Sequence, residues 1–211
     1  MGQAKQKQKA LAANYDSINE AAAKVSHAII RLFNATSLQQ GADCFTVATV
    51  AQGLLADLGI ATELVAGHAS WRVGPGDSDV IGHQESGQQL IMGGLQGFAY
   101  HAWLVFPGKG LLVDFTTYQL PLKGAQMDAM DGGTTVVNWA PSYLLVAAST
   151  CQSERAVLMA AEPVAYHYDP KPAILARLME TYQESPDNLS MARMVMANPD
   201  VNVMGPASIG V

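Results

Sequence analysis

Three residues in the first 115 positions have side chains that could together perform nucleophilic catalysis. Cys44 begins a segment predicted to be helical, His101 begins an apolar segment predicted to be a strand, and Asp114 lies on the next predicted strand. A thiol nucleophile needs a base, and the base needs a partner that orients it. The order Cys, His, Asp supplies these three roles, so we expect a catalytic triad of Cys44, His101 and Asp114.

The segment that begins at Cys44 is predicted to be a buried helix that extends to about Leu58. Its apolar residues fall on nearly every face, which is typical of a helix buried in a core. Asp43 or Gly41 lies near the expected N-cap, and Gly59 ends the helix. The free N–H groups and the positive dipole end at a helix N-terminus stabilise a thiolate. We therefore expect a reactive thiol at this position.

Residues 100–106 and 111–115 are predicted to form a β-hairpin across the turn Pro-Gly-Lys-Gly. Antiparallel pairing across this turn places His101 opposite either Asp114 or Thr116. Cross-strand neighbours have Cβ atoms about 4.5–5.5 Å apart, which suits a carboxylate that orients an imidazole.

The rest of the chain is predicted to add helices at both ends. The periodicity indicates a helix over residues 10–35, a strand pair over 60–66 and 70–73, a long glycine-rich loop over 74–97 and a turn-rich stretch over 128–135. It further indicates a strand, or a broken pair of strands, over 156–168 and helices over 172–184 and 189–197. We expect one α+β domain with a helical extension (1–37), a catalytic core (38–168) and C-terminal helices with a tail (169–211).

Residues 38–118 resemble the transglutaminase-like branch of the papain-like cysteine enzymes, in a bacterial or phage-type form. The motifs that carry the resemblance are Asp43-Cys44-Phe45, Tyr100-His101-Ala102-Trp103 and Val113-Asp114. The separations, 57 residues from Cys44 to His101 and 13 from His101 to Asp114, are ordinary for that branch. The resemblance implies a helix that bears the Cys, packed on an antiparallel sheet that bears the His and the Asp.

The resemblance also implies thiol chemistry on an acyl group. In the family the Cys attacks an amide or ester carbonyl, the His acts as base and then as acid, and the Asp orients the His; these roles fall on Cys44, His101 and Asp114. Papain-like enzymes often have a Gln shortly before the Cys that donates to the oxyanion, and Gln39 or Gln40 is the candidate here.

Several functions use this first half-reaction, and the residues do not choose among them. We expect a cysteine-dependent hydrolase or acyl transferase that acts on a peptide or small amide through a thioester. An acetyltransferase of the arylamine N-acetyltransferase type is one alternative, although the net charge of -6 disfavours the phosphates of coenzyme A. A non-catalytic binding module that retains the fold is the other alternative. No cofactor is expected.

Composition limits the possible partners. The 211-residue chain is 49% hydrophobic and 14% charged, and its net negative charge argues against binding nucleic acid. No secretory signal and no apolar run long enough to span a bilayer is visible, so we expect a cytoplasmic protein that does not bind membranes. Only nine residues between positions 41 and 115 are charged, which favours an uncharged or mildly cationic substrate.

Weaker candidates lie outside the triad. Large aromatic residues of a substrate groove are expected to be Trp71, Trp103 and Trp139. Histidines and carboxylates near the glycine-rich loop have no spacing typical of a metal site, so no metal is expected. Five of the ten methionines lie in the last 33 residues, and this Met-rich C-terminal region is the candidate surface for a homo-oligomer.

Overall fold

The structure is α+β, with an antiparallel β-sheet and helices packed against it. It is a computed structural model that describes residues 2–36, 43–83, 90–92, 95–97, 99–182 and 185–206. The strands are β1 (Glu63–Arg72), β2 (Val80–His83), β3 (Leu90–Met92), β4 (Leu95–Gly97), β5 (His101–Phe106), β6 (Leu111–Asp114), β7 (Leu144–Ala147) and β8 (Ala165–Pro170). The helices are α1 (Gly2–Ala35), α2 (Cys44–Asp57), α3 (Leu120–Asp131), α4 (Glu154–Leu158), α5 (Pro172–Thr181) and α6 (Pro186–Ala197).

Strands β2 and β5 follow one another along the same edge of β1. Gly67 pairs with His101 of β5 on this edge and with β8 on the other edge, and Ala69 pairs with His83 of β2 and with β8. Since His68 alone separates these two β1 residues, β2 and β5 are collinear. The 17 residues from 84 to 100 leave this line and return to it. Beyond β5 the sheet continues with β6 and then β7.

The two faces of the sheet are buried by different residues. The helix face packs on α1 and α2, and its sheet residues include Ala66, Ala102, Leu104, Phe106 and Val113. The opposite side, the aromatic face, is formed by Trp71, Trp103, Leu112, Leu144 and Tyr168, with Leu120 of α3 packed against it. Successive residues of a strand point to opposite faces, so each strand supplies side chains to both.

The helix beginning at Cys44 and the β-hairpin are confirmed. Helix α2 begins at Cys44, with Asp43 at the N-cap, and the chain leaves it through Gly59 at φ +75°, a conformation that glycine adopts without strain. Both C-terminal helices are present within one to three residues of most expected ends. The first helix extends further than predicted, since it begins at Gly2.

Four predicted segments are wrong. Residues 60–66 and 70–73 belong to the single strand β1, and the predicted loop 74–97 contains β2, β3 and β4. Much of the predicted strand 156–168 is helix α4, and α3 extends into the turn-rich stretch 128–135. Gly67 suggested a turn, but a Cβ atom there would lie 2.1 Å from the Asp169 carbonyl oxygen. The glycine therefore permits the close approach of β8 rather than a turn.

Within the described ranges, no helix combines the length and the apolar character that crossing a bilayer requires. The division into an extension, a core and a C-terminal region stays a prediction.

Candidate functional site

His101 and Asp114 form a buried hydrogen-bonded pair on the aromatic face. The Nε2 of His101 lies 2.8 Å from Oδ2 of Asp114, and both side chains are closed to solvent. The pairing of Leu104 with Val113, extended along the hairpin, places Asp114 opposite Trp103 and His101 two residues further along. The two side chains are therefore diagonal neighbours on one face, within reach of each other.

Asp114 accepts hydrogen bonds from four donors. The Thr116 N–H and the Thr116 hydroxyl both donate to Oδ1, at 2.8 and 2.9 Å. The imidazole of His101 and the hydroxyl of Tyr168 bond to Oδ2, each at 2.8 Å. Trp71 Nε1 donates in turn to the Tyr168 hydroxyl at 2.9 Å. Four donors use the lone-pair directions of an ionised carboxylate, so the orientation of Asp114 is fixed.

The electrostatics of this pair favour an ionised carboxylate beside a neutral imidazole. Burial by itself raises the pKa of Asp114, but the interaction with His101, the charge of Lys123 and the Thr116 N–H outweigh it and hold this pKa well below its usual range. Burial lowers the pKa of His101, against the opposing effect of Asp114. A neutral imidazole that donates from Nε2 keeps the lone pair of Nδ1 as a base.

Cys44 approaches the start of β5 from the helix face. Its Sγ lies 3.9 Å from the carbonyl oxygen of Tyr100, and the Ala102 N–H also hydrogen-bonds the sulfur. Both of these groups flank His101 in the chain. The thiol therefore contacts the backbone on either side of the histidine.

The reactivity expected of a thiol at a helix N-terminus is corrected by its burial. Desolvation raises the pKa of Cys44 to about 11, and the charges of Asp43 and Asp114 act in the same direction. Lys123 and the Ala102 N–H lower it, but by less. A thiol with this pKa keeps its proton at neutral pH, because deprotonation would place an anion in an apolar layer.

The thiol and the imidazole are not hydrogen-bonded to each other. Cys44 belongs to the core of the helix face, whereas the ring of His101 lies against Trp71 on the aromatic face, with ring centres 4.8 Å apart. In the part of the chain that the structure describes, Nδ1 of His101 has no hydrogen-bond partner. The structure thus brings together His101 and Asp114, and it places Cys44 against the backbone of the same strand end.

A second histidine stacks on the first. His83, at the end of β2, lies with its ring centre 5.7 Å from that of His101 and nearly parallel to it, at 11°. Trp103 follows on the other side, with ring centres 6.1 Å apart. This ladder forms because collinear β2 and β5 place the three residues at alternate positions of one line. Burial holds the pKa of His83 well below its usual value, with help from the charge of Lys123.

Lys123 of α3 brings a positive charge into the same layer. Its side chain is 2% exposed, its Nζ donates to the Thr116 hydroxyl at 3.3 Å, and it lies 5.2 Å from the centre of the Trp71 ring. A cation over the face of an indole ring is attracted by the ring quadrupole. This position explains how a lysine can be buried beside the His101–Asp114 pair.

No protein-family model and no curated protein matches the chain. One solved structure, the crystal structure of a genomics target, is similar to it with a TM-score of 0.52 and 16% sequence identity. The similarity covers 89% of this chain and 80% of that chain. At this identity the likeness shows that the two chains share a fold.

The expectation that tryptophans line an open groove is corrected for two of the three. Trp71 and Trp103 are fully buried, and Trp71 is used to support Tyr168 and Lys123. Trp139 is half-buried and stacks on Tyr166, so its role in a groove stays a prediction. Gln39 and Gln40, the candidate oxyanion donors, lie outside the described residues.

Sequence reasoning missed four residues of this site: His83, Thr116, Lys123 and Tyr168. Thr116 could have been found, because a threonine two residues after an aspartate commonly donates to it locally. The others come from β2, α3 and β8, and no local pattern connects those elements to the hairpin. Among the described residues, no group of three or more histidine, cysteine, aspartate or glutamate side chains could hold a metal ion.

Proposed function

We propose that this protein is a cysteine-dependent hydrolase or acyl transferase with a papain-like, transglutaminase-like core. The observation that carries the proposal is the buried bond between His101 Nε2 and Asp114 Oδ2, at 2.8 Å, which leaves Nδ1 as the basic nitrogen. The position of Cys44 supports it, since its sulfur contacts the backbone on both sides of His101. An antiparallel sheet with the cysteine at the first residue of a packed helix is the arrangement that the resemblance implies.

The reaction begins with transfer of the thiol proton to Nδ1 of His101. The sulfur attacks the carbonyl carbon of an amide, and the imidazolium then returns the proton to the departing amine nitrogen. This leaves an acyl group on Cys44 as a thioester. Water or an acceptor amine loses a proton to the same imidazole and attacks the thioester, which releases the product and restores the thiol.

Asp114 orients the imidazole throughout this sequence and stays ionised. Its four hydrogen-bond donors make it a fixed charge, so it fixes the tautomer that presents Nδ1 as the base. To engage Nδ1, the thiol must turn from the Tyr100 carbonyl toward the imidazole. Substrate binding is the step in which we place this rearrangement, because apo sites often tighten only in the complex.

A test of the proposal is covalent capture of Cys44 by a panel of peptidyl vinyl sulfones and acyloxymethyl ketones, with the adduct located by peptide mass spectrometry. The Cys151→Ala variant is the matched control, because it removes the other thiol, which is half-buried in a polar segment. We expect wild type and this control to react alike. His101→Gln and Asp114→Asn should react about 100-fold or more slowly, the range that a general base contributes.

The result that contradicts the proposal is a capture rate at Cys44 that does not change in His101→Gln, measured on protein whose circular dichroism matches wild type. One set of observations favours a second candidate, a non-catalytic binding module that retains the fold. The pKa of Cys44 is raised and that of His101 is lowered, so the neutral thiol and neutral imidazole are favoured over a thiolate–imidazolium pair. A capture rate independent of His101 is the outcome that this candidate predicts.

A further inference from the structure

Lys123 is buried without a carboxylate beside it. Lysine is almost never fully buried unless it is paired, yet this side chain is 2% exposed. Within the described residues, no carboxylate oxygen lies within 4.0 Å of its Nζ. Its contacts are the Thr116 hydroxyl and the face of Trp71. These contacts hold the ammonium in place and leave its charge without a direct counter-ion.

The ammonium is connected to the catalytic pair through one hydroxyl. Lys123 Nζ donates to Thr116 Oγ1, which donates its own proton to Asp114 Oδ1. A hydroxyl has one donor proton and two acceptor lone pairs, so it can serve both partners at once. Because the relay ends on a carboxylate already fixed by three other hydrogen bonds, the position of the ammonium relative to the site is fixed as well.

We propose that Lys123 is a positioning residue whose fixed positive charge favours the thiolate of Cys44. The role rests on the proposed function, in which that thiolate is the nucleophile. In a usual cysteine–histidine site, the imidazolium supplies the positive charge beside the thiolate. Here the imidazole is buried against Trp71 and His83 and stays neutral, so the site uses a cation on a different element.

The charges that act on the sulfur agree with this role. Burial, Asp43 and Asp114 all raise the pKa of Cys44, and Lys123 is the cation that lowers it. The same charge lowers the pKa of both His101 and His83, which keeps the two imidazoles neutral. Lys123 therefore acts in the direction that favours a deprotonated thiol and an unprotonated base.

The test is the rate at which iodoacetamide alkylates Cys44 at a fixed pH of about 9, where the rate follows the thiolate fraction. All variants carry Cys151→Ala, so that one thiol reacts. Lys123→Met removes the charge, Lys123→Gln removes it while keeping a donor for Thr116, and Lys123→Arg keeps it. We expect Met and Gln to slow alkylation about threefold to tenfold, since one pKa unit is tenfold, and Arg to stay near the parent rate.

The sign of the change separates a charge effect from loosened packing. Loosening exposes the buried thiol, which lowers its pKa and speeds alkylation, whereas loss of the cation slows it. Asp43→Asn is the matched opposite, because it removes a negative charge that acts on the same sulfur, and it should speed alkylation. Equal or faster alkylation in Lys123→Gln, or an Arg variant as slow as the Met variant, overturns the proposal.

This outcome is independent of the test of the proposed function. That test asks whether capture of Cys44 depends on His101, and this one asks whether the thiolate depends on Lys123. A protein in which His101 has no influence and Lys123 does would lose the proposed catalytic role but keep the charge coupling. The reverse result would remove Lys123 alone.

Discussion

The helix face and the aromatic face of the sheet are equally closed to solvent, but different interactions close them. On the helix face, Leu54 and Leu104 are fully buried among other apolar side chains. On the aromatic face, His101, Asp114 and Lys123 are buried as deeply, among tryptophan and tyrosine rings. The first face gains stability by filling volume, whereas the second requires that each buried polar atom has a partner. Four predictions test this difference.

The largest effect is expected for Asp114→Ala. It leaves the Thr116 N–H, the Thr116 hydroxyl, the Tyr168 hydroxyl and the His101 ring without their acceptor. We expect a loss of about 3–5 kcal/mol in the free energy of unfolding, measured by urea titration. The control is Asp57→Ala, which breaks an exposed pair with Arg193 and should change stability little. A cost for Asp114→Ala no larger than that of the control would contradict this account of the aromatic face.

The helix face is tested by Leu54→Ala, which leaves a cavity in the aliphatic core. We expect a loss of about 2–5 kcal/mol, the range for leucine truncation in a packed core. Because Leu54 contacts no titratable group, the dependence of stability on pH between 5 and 7 should match that of wild type. A changed pH dependence would mean that the two faces are coupled.

Tyr168→Phe should have a smaller effect on the aromatic face. The substitution removes one donor to Asp114 and leaves Trp71 Nε1 without its acceptor. We expect a cost of about 1–3 kcal/mol in thermal or urea unfolding. Tyr166→Phe is the paired control, since its hydroxyl bonds Thr150 at the surface, and it should be close to neutral. Equal costs for the two variants would show that the buried network contributes nothing beyond packing.

The smallest effect is a pH slope that arises from the stacked histidines. Their pKa values are lowered in the folded protein, so below about pH 6.5 the unfolded chain binds protons that the folded chain does not. Stability is then complete above this pH and falls on acidification, by at most about 1.4 kcal/mol per pH unit for each histidine.

Replacement of His83 by leucine should remove about half of this slope, measured as unfolding free energies at pH 5, 6 and 7. His27→Gln is the control, because His27 lies exposed on α1. A slope that is unchanged in His83→Leu would assign the acid sensitivity to other groups.

The hairpin and the cysteine helix could be predicted because their signals are local. Strand alternation and a four-residue turn bring His101 and Asp114 onto one face, and an apolar run after Asp43 predicts α2. The pairing of Ser70 with residues before it was wrong because Gly67 resembles a turn, although the glycine permits close contact with β8. Helix α4 was missed although Ser153 caps it by accepting from the Ala156 N–H, a signal that was available.

The rest of the site could not be predicted, because it is assembled over long separations. Tyr168 lies 54 residues from Asp114, and Lys123 lies on α3, where Gly124 weakened the helical signal. That glycine packs against β-branched side chains: a Cβ atom there would lie 3.3 Å from Cγ2 of Val137. The stack of His83 on His101 depends on two strands meeting end to end, which 17 intervening residues conceal. The triad as a whole stays a prediction.

The collinear arrangement of β2 and β5 makes residues 84–100 a replaceable excursion from the sheet. The chain departs at His83 and returns at His101, opposite β1 residues two positions apart, or about 7 Å. In an uninterrupted strand, a single residue would occupy that gap. Segments whose ends lie this close can change length at little cost in closure entropy, so this one can diverge without shifting the register of the sheet. A grafted sequence of chosen binding specificity would therefore be anchored directly beside the His101–Asp114 pair.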